Sequence, residues 1–274
     1  MIKIKTLVEN TSVSSTYKHK HGICFYIETS KHKLLFDLGK DNLFLENAKK
    51  MNIDISDVDI VVISHGHKDH AGALGIFLEH NQKGKIYIRE KAFDRHFTKV
   101  LGINVDISID EALKDNPRLV FTEEQVVIDE ELTLFTNTES QNNYSKQNRT
   151  LRMESEGEIV QDDFAHEQAL IISDEERKTL LSGCSHTGIV NIKKKAESIA
   201  NKEMDYVIGG FHLYNPASKV YEDPELIEEI AEYLKQTNTT YYTCHCTGVV
   251  AYNELRVILG ERLKYASAGS EIIL

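Results

Sequence analysis

The chain lacks any apolar run near the ~20 residues that span a bilayer, so no membrane helix is expected. Its start, Met1-Ile2-Lys3-Ile4-Lys5, alternates like a strand and has no signal-peptide apolar region; the cytoplasm is the expected compartment. Cysteine is scarce. Cys24, Cys184, Cys244 and Cys246 include no pair of metal-knuckle spacing, and reduced thiols are expected rather than disulfides. Positive charge is also short, with 32 Lys and Arg against 43 Asp and Glu and a net charge of -11. That balance argues against nucleic-acid binding by backbone neutralisation, yet leaves room for a local basic pocket that takes a small anion. Three prolines and 15 glycines supply no linker that would split the chain, and one domain over 1–274 is expected.

What is present is an ordinary globular composition, 41% hydrophobic. Residues 2–8, 23–28 and 34–36 have strand lengths and apolar content, and Asp37-Leu38-Gly39 closes the third. Residues 43–51 read as a helix, 59–63 as a buried strand, 72–79 as a helix and 85–89 as a strand. Around Phe93, His96 and Phe97 the pattern suggests a helix or a substrate-facing loop. Residues 126–128 and 132–135 are strand-like. The polar stretch 136–165, with Thr138 to Asn143 at its centre, reads as a long active-site loop or a surface excursion. Order returns with a hairpin at 169–172 and 179–181, and helices follow at 189–200, 224–235 and 249–259. Short strands at 206–208 and 239–243 lie between them. Sheet covered by helices is the expected architecture.

Ser64-His65-Gly66-His67-Lys68-Asp69-His70 places three histidines and an aspartate directly after an apolar strand. Imidazole suits zinc or iron, and carboxylate adds a hard oxygen ligand. The same order of strand, glycine or cysteine with histidine, then helix returns at His186, His212 and His245. Histidines at strand-to-helix turns share one edge of a sheet, where open α/β folds place their sites. His65 and His67 project alike from extended chain and can share one metal, while Asp69 and His70 can reach a second.

With its Leu35-Phe36-Asp37-Leu38-Gly39 approach, the Ser64–Gly72 segment resembles the His-x-His-x-Asp-His loop of the metallo-β-lactamase superfamily. The resemblance implies a four-layer αββα sandwich with a metal centre at one edge of two sheets. Gly183-Cys184-Ser185-His186-Thr187-Gly188, Gly209-Gly210-Phe211-His212-Leu213 and His245-Cys246-Thr247-Gly248, with Asn10 and Asn47, resemble a narrower microbial group. That group is labelled metal-dependent hydrolase or dihydropterin ribofuranosyl-aminobenzene phosphate synthase. The usual third-motif histidine corresponds most closely to His166, and the usual bridging aspartate to Cys184; His186 is the favoured ligand and His245 resembles the final one.

The reading that follows is a hydrolase using a metal-bound hydroxide on a small phosphate ester or phosphodiester. His65, His67 and His186 hold one metal; Asp69, His70 and either His212 or His245 hold the other. Zinc, in two ions, is expected, with iron or manganese as alternatives. Asp69 and His212 are the candidate catalytic groups, Asp69 orienting water and His212 transferring protons. Arg149 and Arg152 are candidate phosphate ligands. A synthase-like transferase is the alternative; it calls for an aromatic pocket for a pterin-like substrate, built from Phe93, Phe97, Phe164, Phe211 and Tyr214. A metal or redox sensor working through Cys184, Cys244 and Cys246 is the third reading. The apolar end, Ile272-Ile273-Leu274, packs on the body or across a homodimer.

Overall fold

Two seven-stranded sheets stack face to face, and both are built to the same plan. The computed structural model describes residues 1–136, 144–175 and 177–274. In the first sheet Glu271–Ile273, Lys3–Val8, Cys24–Glu28 and Lys33–Phe36 run antiparallel. Ile60–Val62, Lys85–Ile88 and Leu119–Phe121 then continue parallel to Lys33–Phe36. In the second, Leu263–Tyr265, Thr240–Thr243, Tyr206–Gly209 and Arg177–Leu181 are parallel. Ala169–Asp174, Leu132–Phe135 and Gln125–Val127 complete it as antiparallel strands.

Strand side chains alternate between two cores, as the period of two requires. Phe25, Ile27, Leu34, Phe36, Ile60 and Val62 meet Leu132, Leu134, Leu170, Ile172, Leu181 and Ile208 between the sheets. Their neighbours Tyr26, Leu35 and Val61 face outward onto helices Leu43–Lys50 and Leu74–His80. Leu180 and Val207 face Ile189–Ala200, Pro224–Lys235 and Val249–Leu259 on the other side. The four-layer αββα sandwich implied by the resemblance is the observed fold. Ile272 and Leu274 close the inter-sheet core, so the apolar C-terminus packs on the body. Among the described residues no helix is long and apolar enough to cross a membrane.

The region around 90–118 departs from expectation. His96–Val100 and Ile103–Asp106 form a hairpin, where a helix or loop was expected. They join Leu151–Ser155 and Glu158–Gln161 in a separate four-stranded sheet. The second half of the polar stretch is therefore strand and a short 3-10 turn, Lys146–Thr150, while Thr138 to Asn143 lie outside the described residues.

Candidate metal centre

Every parallel strand ends at the same edge of the sandwich, and the loops there carry the histidines. His65, His67, Asp69 and His70 follow Ile60–Val62; Cys184 and His186 follow Arg177–Leu181; His212 follows Tyr206–Gly209; His245 and Cys246 follow Thr240–Thr243. The strand ends are tightly constrained. A Cβ on Gly183 would stand 2.1 Å from Ser64 Oγ, and Ser185, His212 and His245 all sit at positive φ.

Five overlapping groups of possible ligand atoms form among the described residues, and His67 falls with His96, Asp162 and His166; two neighbourhoods hold the histidines of the ligand loop together with those of the later turns. In the first, the rings of His65, His67 and His186 lie 4.6, 4.9 and 5.0 Å apart with interplanar angles of 81°, 79° and 78°, an almost orthogonal trio. Nε2 of His65 and Nε2 of His186 are 3.4 Å apart. In the second, Nε2 of His245 lies 3.2 Å from Asp69 Oδ2 and 3.3 Å from Nε2 of His70, which is 3.6 Å from the same carboxylate oxygen. A tetrahedral cation about 2.0–2.1 Å from each ligand puts neighbouring ligand atoms about 3.3 Å apart, so the His65–His186 spacing and those among Asp69, His70 and His245 fit one, with the His67 ring edge-on beside the first pair. Cys184 stands between the groups: its sulfur is 3.2 Å from His70 Nε2 and also within reach of His65 and His186.

The ring tautomers fit the same purpose. Nδ1 of His70 donates to Asp37 Oδ2 at 2.7 Å, that of His245 to Asn10 Oδ1 at 2.9 Å, and that of His186 to Asn148 Oδ1 at 3.1 Å. The two amides are oriented independently, because Asn10 Nδ2 donates to the His245 carbonyl and Asn148 Nδ2 to the His186 carbonyl. Ser64 Oγ donates to Asp37, so it accepts from His65 Nδ1 at 2.9 Å. Each of these four rings therefore turns its Nε2 toward the place of a cation, the pattern that fixes metal-ligating histidines.

His166 shows the opposite pattern. Its Nδ1 accepts from the Gly66 backbone N–H at 2.9 Å, so its Nε2 carries the proton and donates to Asp162, 3.2 Å away. It is a support for the ligand loop, which answers the question its motif position raised. Asp162 also faces His96 Nδ1 at 3.0 Å and His67 Nε2 at 3.8 Å. Burial raises the Asp162 pKa, but the His166 charge and the bonds from His166, His67 and His96 outweigh it and hold the carboxyl far below the usual range.

Three buried carboxylates pin the loops in place. Asp37 accepts from the Ser64 N–H and hydroxyl, both at 2.7 Å. Glu167 accepts from the N–H of His186 and of Thr187, and Glu9 from the N–H of His245. Glu9, Glu167, Asp162 and Asn148 escaped the sequence reading, as did His21, whose Nε2 lies 3.1 Å from Asp69. Except for Asp162, four residues from His166, their partners are distant in sequence; the one available signal is an acidic residue at a strand end.

Other expectations are corrected. Of Phe93, Phe97, Phe164, Phe211 and Tyr214, Tyr214 alone lines the cavity over the centre. Phe93 and Phe211 belong to the cores, and Phe164 stacks on His186 at 4.6 Å. Arg149 and Arg152 do not line the cavity; Arg152 is spent on Gln161 and the Leu151 carbonyl. Lys68 is exposed and stands at the cavity mouth with Lys20 and Lys40. His212 lies against the His186 ring at 4.2 Å and groups with Cys184 and Cys246, while His245 stands with Asp69 and His70. All four cysteines are free and buried, and Cys244 packs in the inter-sheet core away from the ligands.

The metal-free protein is expected to be acid-sensitive. Burial and the neighbouring His96 ring push His166 down to about 4. Between its ordinary value near 6.5 and about 4, the unfolded chain binds the proton and the native state does not. Stability is therefore full above pH ~6.5 and lost as pH falls through about 4, by on the order of 3 kcal/mol for this group. Denaturant midpoints of chelated protein from pH 7.5 to 4.5 check this, and a midpoint independent of pH would contradict it.

The family model described as the metallo-beta-lactamase superfamily matches residues 21–144. A 7,8-dihydropterin-6-methyl-4-(beta-D-ribofuranosyl)-aminobenzene-5'-phosphate synthase of Methanocaldococcus jannaschii is 30% identical over a 296-residue alignment, covering 99% of this chain and 96% of the relative. The uncharacterized protein MJ0448 of the same organism is 27% identical over 253 residues, or 92% and 93% of the two chains. The crystal structure of Tm1679, described as a metal-dependent hydrolase of the beta-lactamase superfamily, superposes with a TM-score of 0.84. It is 28% identical and the match covers 100% of this chain and 99% of that one. With the sandwich, the histidine loop at its edge and a relative aligned end to end, the chain belongs to the metallo-β-lactamase superfamily.

Proposed function

We propose that the protein is a metal-dependent hydrolase of small anionic phosphate esters or phosphodiesters. One observation carries the choice of substrate. The ligand groups sit beneath a cavity of about 540 Å³ whose mouth carries Lys20, His21, Lys40 and Lys68, on a chain of net charge -11. Lys20 is paired with Asp41, whereas Lys40 and Lys68 form no ion pair among the described residues. A local cluster of cations against an acidic surface draws anions to that point. Val105, Ile107, Leu151, Pro216 and Tyr214 give the cavity an apolar wall for the rest of the substrate.

His65, His67 and His186 would hold one divalent cation, and Asp69, His70 and His245 a second, with Cys184 between them. Zinc suits these imidazole-rich sets, and iron or manganese would also be accepted by the carboxylate-bearing one. Such cations supply Lewis acidity at a phosphoryl oxygen and acidify bound water. The chain's own residues do the rest. Lys40 and Lys68 place the anion, the apolar wall excludes water, and Asp69, steadied by His21, orients the attacking water. The synthase reading is supported by the M. jannaschii relative, but the aromatic side chains that would stack a pterin do not converge on the cavity.

The test is metal content of protein purified without added metal, with hydrolysis of bis-p-nitrophenyl phosphate before and after chelation. At least two equivalents and chelator-sensitive turnover are expected. Lys40→Ala and Lys68→Ala are expected to raise KM about tenfold each, near 1.4 kcal/mol, with kcat retained. Bound metal without turnover would favour the synthase-like alternative; no specific metal would overturn the proposal.

A further inference from the structure

Three adjacent parallel strands, Arg177–Leu181, Tyr206–Gly209 and Thr240–Thr243, each deliver one soft ligand to the same spot: Cys184, His212 and Cys246. The two sulfurs and a His212 ring nitrogen lie within 4.8 Å of one another, and all three residues are buried. Gly210 permits the approach, since a Cβ there would stand 2.4 Å from Cys246 Sγ. The His212 backbone N–H donates to that sulfur over 3.3 Å, and the Cys246 thiol reaches the Cys184 carbonyl at 3.5 Å. His212 is only 7% exposed and is held at φ 50°, yet among the described residues neither ring nitrogen has a hydrogen-bond partner. A buried imidazole with both nitrogens unsatisfied carries the desolvation penalty of a lost hydrogen bond, and a ligand removes it.

We infer that Cys184, His212 and Cys246 form a third cation site, beside the two histidine-rich groups. No carboxylate belongs to the set, which disfavours magnesium, calcium and manganese. Two thiolates and an imidazole select a thiophilic cation such as zinc. All three residues line the cavity, so the fourth coordination position opens toward it. Three protein ligands with an open fourth position are the arrangement of a cation that meets substrate; structural zinc is closed by four. Cys184 is shared with the neighbouring groups, so a cation here also fixes the sulfur that stands between them. Of the two roles the sequence left open for His212, metal ligand and proton transfer, this inference takes the first, at a site apart from the Asp69 group. The inference does not depend on the phosphoesterase reading.

Titration of the reduced, metal-free full chain with zinc, and in parallel with cobalt(II), tests it. Three equivalents are expected. Filling of this site adds thiolate-to-cobalt charge transfer in the near ultraviolet that depends on Cys246. Cys246→Ser and, independently, His212→Gln are expected to bind two equivalents and to lose the charge-transfer intensity of the third. Wild-type protein that saturates at two, or variants that both keep three, would overturn the third site. Saturation at two with full phosphodiester turnover would leave the hydrolase proposal standing. Three equivalents without turnover would do the reverse.

Discussion

Asp37→Ala is expected to lose about 3–5 kcal/mol of stability and to bind metal roughly 10–100-fold more weakly. The Asp37 carboxylate is fully buried and accepts from the Ser64 N–H, the Ser64 hydroxyl and His70 Nδ1, each at 2.7 Å. Alanine leaves all three donors without their acceptor and frees the His70 ring to take the wrong tautomer. It also removes a charge. In the metal-free protein burial lowers the His70 pKa, but Asp37 and Asp69 override this and hold it up to about 9. A cation must displace that proton, so affinity at the Asp69, His70 and His245 group rises with pH until about 9. In Asp37→Ala that rise moves to lower pH. Asp37→Asn keeps an acceptor for the Ser64 N–H but presents an N–H to His70 or to the Ser64 hydroxyl, so most of the loss is expected there too. Denaturant midpoints and competition with a chelator across pH 6–9.5 give both quantities. Stability within 1 kcal/mol of wild type, with an unmoved pH profile, would contradict the assigned role.

The second large effect is the loss of a ligand. His186→Ala and His245→Ala are each expected to remove one cation and to lower turnover by roughly a thousandfold or more. That corresponds to several kcal/mol of transition-state charge stabilisation. The two variants should differ in which group empties. His186 completes the near-orthogonal trio with His65 and His67, whereas His245 completes the set with Asp69 and His70. Metal analysis of each variant beside its kinetics separates them. A variant that keeps both its metal content and its turnover would remove that histidine from the ligand set.

Much of this architecture was legible from local pattern. Ile189–Ala200, Pro224–Lys235 and Val249–Leu259 begin and end where the apolar period does. Their starts are marked by Gly188 and Gly248 at positive φ and by Pro224 in the first turn. The hairpin at 96–106 was not legible, because all four residues of Ile103–Asp106 are exposed and its strands have no buried alternating face. The ligand histidines showed because each sits in a glycine- or cysteine-marked turn after an apolar strand. The groups that orient them did not. Glu9 meets His245 across 236 residues and Asn148 meets His186 across 38, and no spacing rule reaches that far. The lysines at the mouth failed to show for a related reason: Lys20, Lys40 and Lys68 form a patch in space alone.

The two sheets also bear on the time course of assembly. Each ligand group draws on both halves of the chain: His65 meets His186 across 121 residues, and His70 meets His245 across 175. Neither group exists until the halves have docked, so contacts of this range place the protein among slow folders. A cation that binds only after docking does little for the rate of folding. It acts instead on the way out, as a clasp across the open edge of the sandwich, because the rings must let go before the halves can part. Loaded protein would thus be long-lived more than quick to form, and its persistence in a cell would follow its metal supply.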